Sequence, residues 1–76
     1  MTETRKNILR DVMCSVENLQ DCLEVLLREE ESCAAKLSGK PKKAAQYDAS
    51  MQACEDLRTV IGQIGKAVKS AERLQV

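Results

Sequence analysis

One interruption governs this chain. Ser38-Gly39-Lys40-Pro41 divides 76 residues into two stretches of similar length. Glycine suits the position just past a helix C-terminus, and proline suits the first turn of a following helix. The break therefore reads as a tight reversal between two helices. In the first stretch Leu9, Val12, Val16, Leu19, Leu23, Leu26, Cys33 and Leu37 fall on alternating steps of three and four, with Glu30 as the polar exception. In the second, Tyr47, Cys54, Leu57, Ile61, Ile64, Val68 and Ala71 do the same, with Ser50 as the exception. This is the seam of helices packed at a shallow angle. The expected fold is all-α: an antiparallel, coiled-coil-like two-helix hairpin forming a single domain over 1–76, with a helix near 4–37, a turn at 38–41 and a helix near 42–72.

The two seams match when the chain folds back so that paired residue numbers sum to 80. Leu9 then meets Ala71, Val16 meets Ile64, and Leu23 meets Leu57. The polar exceptions Glu30 and Ser50 face each other. A slip of one heptad sets Cys33 against Cys54 and lengthens the loop, so the register with its turn on Gly39 and Pro41 is preferred. Charge agrees. Residues 1–37 hold eight acids and five bases, a net of −3, and residues 38–76 hold seven bases and four acids, a net of +3. Each exposed pair contributes under about 1 kcal/mol.

A chain this short buries a small share of its surface and usually needs a staple: disulfides, a metal, oligomerisation or a partner. Cys14, Cys22, Cys33 and Cys54 contain no Cys-x-x-Cys pair, and there is no His, so zinc-site spacings do not fit. The expectation is four free thiols acting as small buried hydrophobes, with no metal and no cofactor.

Several functional classes are disfavoured. Acids and bases balance at 12 each, which lacks the basic footprint of nucleic-acid binding. Tyr47 is the only aromatic residue, so there are no stacking platforms for bases. There is no His base, no phosphate-binding glycine loop and no cleft in which paired carboxylates could work, so no catalytic residue is assigned and no enzymatic activity is expected. No apolar run reaches membrane-spanning length. Met1-Thr2-Glu3-Thr4-Arg5-Lys6 leads into an amphipathic pattern and not an apolar leader. A cytoplasmic location without membrane insertion is expected.

Apolar residues beyond the seam point to a partner. On one flank lie Ile8 and Cys22 of the first helix with Ala53, Val60, Ala67 and Leu74 of the second; in an antiparallel pair these positions share a side. They are the candidate partner-binding residues, because a contiguous apolar face marks an interaction site. The other flank carries Met13, Leu27 and Ala34 with Met51. Gly62 and Gly65 sit inside the second helix at a cost of about 1 kcal/mol each relative to alanine. Either local looseness or close approach of a partner backbone accounts for them.

A leucine-rich first helix from Leu9 to Leu37, the turn Ser38-Gly39-Lys40-Pro41, the pair Gln46-Tyr47 and the apolar run from Met51-Gln52-Ala53-Cys54-Glu55 to Val60-Ile61-Gly62-Gln63-Ile64 together resemble a known family. They are similar to the small helical-hairpin co-chaperones of bacterial type III secretion needle subunits, over most of residues 8–68. The resemblance implies a cytoplasmic protein of virulence-associated protein transport. It would pair with a second, tetratricopeptide-like chaperone and, through it, hold the needle subunit unpolymerised. Independently of the resemblance, a two-helix unit this small has little stability of its own, so the free chain is expected to melt easily or to self-associate, as a homodimer for example. The competing readings are a self-assembling, needle-like structural subunit, another export chaperone, and a coiled-coil adaptor.

Overall fold

Thr2 opens the first helix. Its hydroxyl accepts the backbone N–H of Arg5 at 3.3 Å, and its backbone is extended, as an N-cap requires. The computed structural model describes residues 2–75; Met1 and Val76, the ends of the expected 1–76 domain, lie outside the described residues. From this cap α1 runs Glu3–Leu37, with Glu3 in its first turn and Lys36 in its last, where each complements the helix dipole. The Ser38 N–H donates to Ala34 at 3.0 Å, and Gly39 follows at φ 75°, a left-handed conformation that glycine adopts without the clash other residues meet. Pro41 then starts a single 3-10 turn, Pro41–Lys43, and α2 runs Ala44–Glu72, ending in a second 3-10 turn, Arg73–Gln75. Among the described residues there is no strand.

The result is an antiparallel helical hairpin, 59 Å long and only 15 × 12 Å in section. Its register is pinned at Glu30 and Ser50: the Ser50 hydroxyl donates to the Glu30 carboxylate across the helix pair. Ser50 is buried and Glu30 half-buried, so the bond joins the two groups that would otherwise be costly inside the seam. This pair belongs to the expected register and not to the slipped one.

The α2 side of the seam is the expected one: Tyr47, Ser50, Cys54, Leu57, Ile61, Ile64, Val68 and Ala71 are all buried or half-buried. The α1 side differs. Leu9, Val16, Leu23, Glu30 and Leu37 face inward, but Val12, Leu19, Leu26 and Cys33, expected in the seam, are exposed; Val12 retains 52% of its surface and Leu19 51%. Met13, Gln20, Leu27 and Ala34, each one position later, take their places, with Met13 at 7% and Ala34 at 3% exposure. Met13, Leu27 and Ala34, expected from sequence on the flank beside the seam, are thus part of the core.

The cause lies along the edge toward which α1 has turned. There α2 presents small groups: Gly65, where an added Cβ would stand 3.6 Å from Gln20 Nε2, and the buried Ser50 and Cys54. Arg58 and Glu31 close the same edge with an ion pair of 3.5 Å. Both partners are about half exposed, so screening leaves it worth under about 1 kcal/mol. The close neighbour of Gly65 is therefore the chain's own α1, while Gly62 has open space around it.

Candidate functional site

Turning α1 exposes a second stripe. Going round the helix away from Met13 and Ala34, Val12, Leu19, Leu26 and Cys33 emerge beside Ile8 and Cys22, and all six are exposed. On α2, Val60, Ala67 and Leu74 are exposed and Ala53 is half-buried. The opposite edge of the hairpin is fixed by Glu31 and Ala34 of α1, which line one shallow groove with Met51 and Arg58 of α2. By helical period Ala53, Val60, Ala67 and Leu74 of α2 fall on the side away from that groove, and on α1 Val12, Leu19 and Leu26 stand between them and Ile8 and Cys22, which the turning carries further outward. Sequence reasoning placed Ile8, Cys22, Ala53, Val60, Ala67 and Leu74 on a common flank. It missed Val12, Leu19 and Leu26, which it spent on the seam, and these are three of the six large exposed apolar side chains of that flank, with Ile8, Val60 and Leu74.

The face carries little charge chemistry. Three of the four cysteines, Cys14, Cys22 and Cys33, are exposed free thiols, and Cys54 alone is buried, at 1% exposure. This corrects the expectation of four buried hydrophobes. Cys33 follows Val12 and Leu26 outward with the turning of α1, and Cys14 and Cys22 stand off the seam by helical period. Among the described residues no three of Cys, Asp and Glu converge as metal ligands, and no helix is long and apolar enough to cross a membrane. What this surface can do is exclude water against another apolar surface. The buried core is small enough, with Met13, Ala34 and Cys54 as its buried apolar residues, that such cover adds appreciably to the stability of the chain.

No known protein family, curated protein or solved structure matches the chain.

Proposed function

We propose that this hairpin is a non-enzymatic docking protein, and that the face built from Ile8, Val12, Leu19, Cys22 and Leu26 on α1 with Ala53, Val60, Ala67 and Leu74 on α2 receives an apolar helical surface of a partner protein. The observation that carries the reading is the exposed stripe itself. Apolar side chains recur at helical-seam spacing on a helix whose other side is already packed, and contiguous exposed apolar surface of this kind marks an interaction site. The resemblance over residues 8–68 gives the partner its class: a tetratricopeptide-like chaperone whose stacked helices offer such a surface, with the type III secretion needle subunit held unpolymerised by the pair in the cytoplasm.

Capture of the tagged chain from the cytosol of its native host, with bound proteins identified by mass, tests this. A helical-repeat chaperone should be recovered with the chain and lost with Val60→Asp, a change at an exposed position that leaves the hairpin helical. Recovery of the same partner by Val60→Asp overturns the assignment of the face. The second reading, a self-assembling needle-like subunit, draws on the same exposed stripe and predicts filaments of the purified chain in place of a small species.

A further inference from the structure

The exposed stripe on α1 says more than that it is apolar. Ile8, Val12, Ser15, Leu19, Cys22 and Leu26 are all exposed, and with Arg5 before them and Glu29 after them they alternate steps of three and four through three heptads. Scattered surface apolar residues have no such period. A helix lying alongside α1 requires it, so the occupant is a helix, and the order of residues within the stripe indicates which one.

The series is its own complement when reversed. If a second α1 is laid antiparallel so that paired numbers sum to 34, Arg5 meets Glu29 at both ends, Ile8 meets Leu26, Val12 meets Cys22 and Ser15 meets Leu19. A slip of one heptad in one direction opposes Val12 to Glu29 and Arg5 to Lys36, and in the other opposes Arg5 to Cys22, removes both Arg5–Glu29 pairs and shortens the apolar contact. Parallel pairing opposes Arg5 to Arg5 and Glu29 to Glu29. The charge along the helix runs in the same sense: residues 1–16 hold three bases and two acids, residues 17–37 two bases and six acids, so reversal brings a basic end onto an acidic one. Ser15, the one neutral polar residue in the stripe, already donates its hydroxyl to the Asp11 carbonyl at 3.2 Å. It can enter a dry seam without leaving an orphaned donor.

We infer that this stripe is the self-association surface of the protein: two copies pack α1 against α1, antiparallel, about a twofold axis at the level of Glu17, in an isologous contact. The pairing covers part of the face assigned above to a partner, so the two modes of cover exclude each other. The dimer does not rest on the identity of that partner, and failure to capture a chaperone leaves it standing.

The test is the solution mass of the full chain in reducing buffer, by sedimentation equilibrium over a wide concentration range. The wild type should be a dimer. Leu19→Asp should weaken it about 30-fold or more, as loss of a central buried anchor does, with helicity retained because Leu19 is exposed in the hairpin. Arg5→Glu and Glu29→Arg should each weaken pairing about tenfold, each breaking both symmetry-related ion pairs, and the double variant should recover the wild-type affinity. Disulfide trapping needs no destabilising change: with Cys14 and Cys33 replaced by serine, Val12→Cys should couple to Cys22 of the second copy under mild oxidation, and Leu19→Cys should not. A monomeric wild type, a dimer indifferent to Leu19→Asp, a double charge swap that fails to recover, or trapping through Leu19→Cys in place of Val12→Cys each overturns the proposal.

Discussion

Positions 12 and 13 are one step apart along α1 and about 100° apart around it, and the hairpin distinguishes them sharply. Met13 is buried and Val12 half exposed. Met13→Ala should therefore cost about 2–5 kcal/mol of hairpin stability, as removal of a buried side chain does, and Val12→Ala under about 0.5 kcal/mol. Both are to be read by urea unfolding in a Leu19→Asp background, where self-pairing does not contribute. Equal costs at the two positions contradict the turned α1. The neighbours Val60 and Ile61 form the corresponding pair on α2: Val60→Asp should keep the circular dichroism spectrum of the parent, and Ile61→Asp should abolish it, because a lone charge in the seam is expensive. Ser50→Ala should cost about 2 kcal/mol, since it strips the half-buried Glu30 carboxylate of its cross-helix donor.

At the scale of the elements, the α2 seam could be read from sequence and half of the α1 seam could not. Along α2 the apolar residues offer one good stripe, and that stripe is the buried one. Along α1 the columns at 12, 19, 26, 33 and at 13, 20, 27, 34 compete, and by hydrophobicity the first wins, with Leu19 against Gln20 as its clearest case. The second column is buried because the facing edge of α2 is made of small groups at Gly65, Ser50 and Cys54, which a pattern taken one helix at a time does not weigh. The turn was legible because its residues act locally: Gly39 holds φ 75° just past α1. Gly39→Ala should cost about 1–2 kcal/mol for that left-handed residue. Gly62→Ala should instead raise the melting temperature, by roughly 1 kcal/mol of helix propensity, because nothing stands within 4 Å of an added Cβ.

For the whole molecule, the relevant length is 59 Å against a section of 15 × 12 Å. A rod this thin has hardly any interior, so every added contact along its side counts. Thermal stability should rise with protein concentration for the wild type and stay flat for Leu19→Asp, by mass action on the paired state. Three of the four thiols are distributed so as to report these events separately. Cys54 is sealed between the helices and should react with an alkylating reagent only when the hairpin opens. Cys22 should be slowed whenever another chain covers the α1 stripe. Cys14, exposed and round the helix from that stripe, should react at its full rate throughout. The native protein thus carries its own footprinting probes, and the order in which its thiols are modified dissects dissociation from unfolding without a single substitution.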